Sequence, residues 1–240
     1  MACLPLADIE LLASGGAAIA GGVLTGEPDQ LDAQFAAAHA EFVRWTSGAP
    51  IQIAWRTAID FPAPAIASVA ALADVVVVGP ARKSSPANSY LDSGDLVMRA
   101  GRPVLMVPQG STTLDRGTVV VAWRNTRESR RALADAMPVD ETAAAVTLLH
   151  VQEAADDAEE LASIDDARAF VKGHGVEAKV EFVDAGHRPA GQAIAEFAGR
   201  AQAGLIVAGT YGHSRVREWA FGGVTRDMLQ EARIACLFSR

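Results

Sequence analysis

The clearest pattern in the chain is a pair of short apolar runs, each preceded by an amphipathic stretch rich in alanine. The runs are 74–80 (DVVVVGP) and 204–210 (GLIVAGT), and the amphipathic stretches are 64–72 and 189–203. Apolar runs of this length that end near glycine are typical of buried parallel strands, and the stretches before them have helical spacing. Because the two copies begin about 130 residues apart, the sequence predicts a repeated α/β unit.

A second pair of segments supports the repeat. The segments 101–107 (GRPVLMV) and 232–238 (ARIACLF) lie at nearly the same offset, and each is predicted to end in the strand that closes its half. Between the halves, 108–117 is rich in proline, glycine and hydroxyl residues and has no periodicity, which is typical of a linker. We therefore expect two domains, at 1–110 and 117–240.

The second half alternates strands and helices along its whole length. Strands are expected at 118–123, 145–151, 176–183, 204–210 and 234–238, and helices at 127–136, 156–172, 189–203 and 224–232. Thr126 is the expected cap of the first of these helices. The alternation predicts a parallel, doubly wound sheet with right-handed crossovers.

The first half is a less complete copy of the unit. It offers strands at 21–24 and 51–56 and a helix at 31–45, but its sequence has no counterpart of the strand that opens the second half. We therefore expect a degenerate N-terminal domain.

Composition narrows the function classes. Half of the 240 residues are apolar and the formal net charge is −8, so a packed core is expected and a nucleic-acid partner is disfavoured. Cys3 and Cys236 lie far apart without metal-ligand spacing, which fits a reducing cytoplasm. No apolar run approaches the roughly 20 residues of a membrane helix. The expectation is a cytoplasmic protein without a membrane partner.

Candidate chemistry concentrates in 209–225 (GTYGHSRVREWAFGGVT), which follows a predicted strand and enters a predicted helix. In open α/β sheets, ligands bind at the carboxyl ends of strands. Gly209 and Gly212 would let the backbone leave the strand tightly. Gly222 and Gly223 would let an anion approach the backbone N–H groups that open the helix. The segment therefore predicts an anion site that needs no basic side chain.

The spacing Gly209-x2-Gly212-x9-Gly222, followed by Gly223-Val224-Thr225, resembles the signature of the universal stress protein family. The resemblance covers the second half fully and the first half loosely, and the tandem arrangement resembles two-domain members. It implies an α/β fold of two Rossmann-like, adenine nucleotide alpha hydrolase-like domains with parallel sheets. It also implies that the final strands pair, so that 104–107 would meet 236–238 in an intramolecular pseudo-dimer able to form a homodimer.

The resemblance further implies a site, because some members of the family bind ATP. The positions that match the phosphate side are Gly212, Gly222, Gly223, Val224 and Thr225. The positions that match the adenosine side are Ala122, Trp123, Arg124, Val151, Ala208 and Gly209. His213 and Arg215 are further candidates for phosphate contacts. The expected ligand is ATP or another adenine nucleotide.

Two positions depart from the pattern of ATP-binding members. Arg124 stands where those members have an aspartate, so a carboxylate is replaced by a cation that cannot accept a hydrogen bond. Arg124 could instead pair with phosphate or stack on adenine. Gly223 replaces a serine or threonine and removes one hydroxyl donor. Two hypotheses stay open: a nucleotide-binding stress-response protein, and an interaction or scaffold protein of the same fold without nucleotide.

A nucleotide hydrolase is a third hypothesis. It would need an acid or base and a charge-stabilising cation beside the phosphate, and the glycine-rich segment offers only His213 and Arg215. His150 is expected to be packed or to lie at the pocket edge, and the acidic residues of 156–166 to form a solvated helical face. We expect no catalytic residue and no metal site.

Overall fold

The computed structural model describes residues 28–47, 54–56, 61–79, 91, 93–108, 111, 113–152, 158–210 and 234–240. Its strands are β1 Val76–Val78, β2 Val104–Met106, β3 Thr118–Ala122, β4 Ala145–Gln152, β5 Ala178–Asp184, β6 Leu205–Gly209 and β7 Ala235–Ser239. Its α-helices are α1 Pro28–Thr46, α2 Pro62–Val69, α3 Ser93–Ala100, α4 Arg127–Asp140, α5 Ala158–Gly173 and α6 Ala190–Arg200. A 3-10 turn at Ala70–Leu72 leads from α2 towards β1.

The described strands form one sheet in the order β1-β2-β7-β6-β3-β4-β5. Neighbours are parallel within each half, and β2 and β7 are antiparallel where the halves meet. Across this junction Val104 pairs with Phe238, Leu105 with Leu237, and Met106 with Cys236. The predicted α/β class with a mostly parallel sheet is confirmed. In the part of the first half that the structure describes, β1 and β2 are the strands, and two strands alone make a marginal sheet; β7 covers the edge that β2 would otherwise expose.

Each face of the sheet has its own apolar core. On one face α2, α3 and α6 pack over the junction and the central strands, burying Val104, Val120, Ile206 and Phe238. On the other face α4 and α5 pack over side chains from alternate positions of the same strands, such as Val121. Since both halves contribute to the first cluster, the described part of the first half folds against the second.

Helix α4 begins where the sequence predicts. Thr126 has an extended backbone, and its hydroxyl accepts a hydrogen bond from the N–H of Ser129 at 3.2 Å. This is the expected cap, which satisfies one unpaired donor of the first turn. The helix continues past the predicted end at 136 to Asp140, with Pro138 inside its last turn.

Other predictions on the first half are tested only partly. The helix expected at 31–45 is present as α1, but 54–56, the described part of the strand expected at 51–56, are not in a strand. In that segment the Trp55 ring packs on Phe42 of α1, with the ring centroids 5.0 Å apart. The strand expected at 21–24 lies outside the described residues, as does the helix expected at 224–232 in the second half. Among the helices that are described, none has the length and apolarity to cross a membrane.

Candidate functional site

The carboxyl ends of β3, β4 and β6 lie at one edge of the sheet. Strand β3 lies between the other two, and Ala122 at its end pairs with Leu149 of β4 and with Ala208 of β6. Strand β4 continues beyond this point to Val151 and Gln152. The structure therefore brings together the described positions that match the adenosine side, which are Ala122, Trp123, Arg124, Val151, Ala208 and Gly209.

The positions on the expected phosphate side lie outside the described residues. These are Gly212, His213, Gly222, Gly223, Val224 and Thr225. The residue just before this segment is held firmly, because the N–H and the hydroxyl of Thr210 both donate to the carbonyl of Ser239, at 2.8 and 3.1 Å. The glycine-rich segment therefore begins from a fixed point at the same edge of the sheet.

Gly209 has a packing role that the sequence did not predict. A Cβ added at this position would lie 2.4 Å from the carbonyl carbon of Glu128 and 2.4 Å from the nitrogen of Ser129. Real Cβ atoms do not approach backbone so closely, so only glycine lets the first turn of α4 lie against the end of β6. Gly209 thus brings the amino end of a helix, which favours anions, next to the carboxyl ends of the strands.

Trp123 is buried, although it belongs to the predicted site. Its indole Nε1–H donates to the hydroxyl of Ser163 on α5 at 3.0 Å, and its ring packs in the core under α4 and α5. Its backbone N–H donates to Leu149 at 2.9 Å and extends the pairing of β3 with β4. The side chain of Trp123 therefore anchors the strand end within the core.

Glu160 is a residue of this edge that the sequence analysis missed. Its carboxylate accepts a hydrogen bond from the backbone N–H of Asn125 at 2.8 Å, so a side chain from α5 holds the turn between β3 and α4. The expectation that all the acidic residues of 156–166 form a solvated face is wrong for Glu160, whose side chain is 15% exposed. The helical phase explains this, because Glu160 shares the inner face of α5 with Ser163, Ile164 and Ala167.

His150 completes this buried polar group. Its side chain is fully buried, and its Nδ1 lies 3.3 Å from the carbonyl oxygen of Trp123 and 3.9 Å from Oε1 of Glu160. A carbonyl oxygen can only accept, so a hydrogen bond between these two atoms requires the tautomer with the proton on Nδ1. The imidazole edge meets the ring of Phe182 at a centroid distance of 6.0 Å. Of the two expected positions, packed or at the pocket edge, the structure shows a packed side chain.

The turn itself carries cations at its surface. The carbonyl of Arg124 accepts from the N–H of Thr126 at 2.7 Å, and Arg130 donates to the side-chain oxygen of Asn125 at 2.5 Å. Arg124 is half-buried at the end of β3. Across the described ranges, no three His, Cys, Asp or Glu side chains come together as a metal site would require.

The sheet order and the crossover helices define a Rossmann-like α/β protein. The model of the universal stress protein family matches residues 116–240, just over half of the chain. The chain belongs to the universal stress protein family.

Two solved structures superpose on this fold with TM-scores above 0.5. A universal stress protein from Archaeoglobus fulgidus DSM 4304 superposes with a TM-score of 0.66 at 18% identity, covering 88% of this chain and 78% of that one. A functionally unknown protein from Pseudomonas aeruginosa PAO1 superposes with a TM-score of 0.52 at 18% identity, covering 85% of this chain and 77% of that one. A universal stress protein from Archaeoglobus fulgidus in complex with dAMP gives 0.38 at 19% identity, over 53% and 100%. No curated protein matches the sequence.

Proposed function

We propose that this chain is a stress-response protein whose second half binds an adenine nucleotide, with ATP as the preferred ligand, at the carboxyl ends of β3, β4 and β6. The observation that carries the proposal is the pairing of Ala122 with Ala208, which sets two small residues side by side where β6 leads into the glycine-rich segment. The dAMP complex belongs to another protein of the family and adds only that one member binds such a ligand.

The adenosine would lie against backbone and small side chains. Ala122 is half-buried, Ala208 and Val151 are buried, and together they offer an apolar wall at the strand ends. The turn that follows β3 is held by Glu160 and by the cap of α4, so its backbone needs little ordering when a ligand binds. A ligand pocket of this kind combines apolar walls with a few fixed polar groups.

Arg124 is assigned to the phosphates. It follows β3 at the position where ATP-binding relatives carry an acid, and a guanidinium pairs with phosphate oxygens through two parallel N–H groups. The glycine-rich segment from Gly212 to Thr225, including His213, would supply the remaining phosphate contacts through backbone N–H groups. On this assignment the chain recognises the triphosphate more strongly than the nucleoside.

The first half is assigned the role of a structural partner. The antiparallel pairing of β2 with β7 supports an intramolecular pseudo-dimer of a degenerate domain, 1–110, with a nucleotide-binding domain, 117–240. Two such chains would be able to form a homodimer. Neither half is assigned a catalytic residue.

Calorimetric titration of the full chain with ATP, ADP, AMP and adenosine tests the proposal. We expect saturable binding of ATP, and we expect Arg124→Gln to lower the affinity for ATP more than the affinity for adenosine. Arg116→Gln is the matched control, because Arg116 is exposed before the amino end of β3, and its guanidinium donates to Thr142. An absence of binding at millimolar ATP would overturn the proposal.

That negative result would support the alternative, an interaction or scaffold protein of the same fold. The observation that favours the alternative is the burial of the Trp123 side chain, which removes the one aromatic group at this edge able to stack on a base among the described site positions.

A further inference from the structure

A cleft of about 480 Å³ lies where the two halves of the chain meet, beside the β2–β7 junction. One wall comes from α3 and the residues that follow it, and the other comes from α4 and the residue after β7. Its lining residues are Val97, Met98, Gly101, Arg102, Arg127, Arg131, Asp135 and Arg240. Four arginines therefore converge on one cleft in a protein whose formal net charge is −8.

Two of these arginines are held by neutral groups. Arg102 donates from Nε and Nη2 to the carbonyl of Ala71, at 3.1 and 2.6 Å. Arg240 donates from Nη1 to the carbonyl of Met98 at 3.2 Å, which links the residue after β7 to α3. A carbonyl positions a guanidinium without neutralising it, so both residues keep their charge in the cleft.

The other two arginines lie one turn apart on α4. The Nε–H of Arg127 donates to the carboxylate of Glu128 at 2.6 Å, and the Nε–H of Arg131 donates to both carboxylate oxygens of Asp135 at 3.0 Å. Within the described part of the chain their Nη groups make no hydrogen bond, and the two side chains are 79% and 50% exposed. Each therefore offers its terminal N–H groups to a ligand.

The charge balance favours an anion. The four guanidinium groups line the cleft together with one carboxylate, that of Asp135, and a second carboxylate, that of Glu128, is buried beside Arg127. The summed charge of these six side chains is positive, and it lies at the amino end of α4, where the helix dipole adds to it. Arginine forks match the tetrahedral oxygens of phosphate.

We infer that this cleft binds a small molecule carrying two or more phosphate groups. The phosphates would lie between the arginines of the two walls, and the apolar side chains of Val97 and Met98 leave room for a short organic part. The cleft lies at the carboxyl end of β7, beside the edge formed by β3, β4 and β6, because Arg240 follows Ser239, which pairs with Gly209 of β6. Its lining includes none of the residues of β3, β4 or β6 that match the adenosine side. Because its walls belong to both halves, an occupied cleft would hold the halves together.

Calorimetric titration of the full chain with inorganic pyrophosphate at low salt tests the inference. Arg127→Gln combined with Arg131→Gln should weaken binding by about tenfold or more, since charge-assisted hydrogen bonds are lost. Arg44→Gln combined with Arg168→Gln makes the same charge change at exposed, ion-paired positions elsewhere and should leave the affinity nearly unchanged. Asp135→Asn should strengthen binding, because it frees Arg131.

Three results would overturn the inference. The first is no pyrophosphate binding to the unaltered chain at millimolar concentration. The second is an equal loss of affinity in the Arg127→Gln, Arg131→Gln variant (the cleft pair) and in the Arg44→Gln, Arg168→Gln variant (the control pair). Such a result would indicate a diffuse charge effect. The third is a loss caused by Arg124→Gln as large as that of the cleft pair, which would place the pyrophosphate in the adenine-nucleotide site. Bound pyrophosphate should also raise the thermal unfolding midpoint of the unaltered chain and not that of the cleft pair.

Discussion

Glu160 accepts a hydrogen bond from the backbone N–H of Asn125 at 2.8 Å, so a carboxylate from α5 holds the turn that follows β3. His150 lies 3.9 Å from the same oxygen and contacts the carbonyl of Trp123. The resemblance to ATP-binding members leads us to expect an acidic side chain just after this strand, where the chain has Arg124. Here an acid reaches the turn from another helix and bonds to the backbone.

Removing this carboxylate should loosen the turn. We expect Glu160→Ala to lower the free energy of unfolding by about 1–3 kcal/mol, because the partly buried N–H of Asn125 loses its acceptor. Glu159→Ala is the matched control, since Glu159 is exposed on the same turn of α5. Urea unfolding of both variants measures the difference, and equal stability of the two would contradict the role of Glu160.

A substitution at Gly209 tests the close packing of α4 against the end of β6. A Cβ at this position would meet the backbone of Glu128 and Ser129 at 2.4 Å, so Gly209→Ala should destabilise the protein by about 1–3 kcal/mol through overpacking. Gly199→Ala has open space on α6 and should be neutral or stabilising by up to about 1 kcal/mol. Should Gly209→Ala prove as stable as Gly199→Ala, the close approach of α4 to β6 would be refuted.

Asp140 gives the stability a pH dependence. Burial raises the pKa of this carboxyl to about 7, and within the described part of the chain neither of its oxygens has a hydrogen-bond partner. The folded protein then holds a proton that the unfolded chain has released above about pH 4. The contribution of Asp140 to the free energy of unfolding therefore falls as pH rises from about 4 to 7, by about 2–4 kcal/mol in all. It levels off above pH 7.

Asp140→Asn removes this titration. Urea unfolding at pH 5 and pH 8 should give a smaller stability difference between the two pH values for the variant than for the unaltered chain. Asp135→Asn, at a position on α4 where the carboxylate pairs with Arg131, serves as the comparison. An unchanged pH dependence in Asp140→Asn would show that another group is responsible.

The shared core predicts that the described part of the first half depends on β7. Phe238 is 1% exposed and pairs with Val104, so Phe238→Ala should cost about 3–5 kcal/mol of stability. Hydrogen exchange should quicken in β1 and β2 as well as in β7. Phe182→Ala, at a side chain that is 47% exposed on β5, should cost much less. Unaltered exchange in β1 and β2 would argue for independent folding of the first half.

Local sequence patterns predicted the elements well and the tertiary contacts less well. The apolar runs at 74–80 and 204–210 predicted β1 and β6 because buried parallel strands need unbroken apolar residues. Thr126 was predicted as a cap from its own side chain and its neighbours. The pairing of 104–107 with 236–238 came from the family resemblance, because no local pattern specifies which strands become neighbours.

The missed features depend on residues that are distant in sequence. Gly209 was interpreted through its own loop, whereas its packing depends on Glu128 and Ser129, about 80 residues earlier. Glu160 was grouped with its acidic neighbours, although the helical phase of Ser163 and Ile164 would have turned it inward. The arginine cleft joins residues from both halves of the chain, so no local pattern could indicate it.

Amide chemical shifts during an ATP titration test the central proposal most directly. Binding at the carboxyl ends of β3, β4 and β6 predicts saturable shifts at Ala122, Val151 and Ala208, with Val180 in the middle of β5 unaffected. Adenosine should shift the same amides, and Arg124→Gln should raise the ATP concentration needed for saturation. If these three amides do not move at millimolar ATP, or if the shifts are confined to other parts of the sheet, the proposed nucleotide site is wrong.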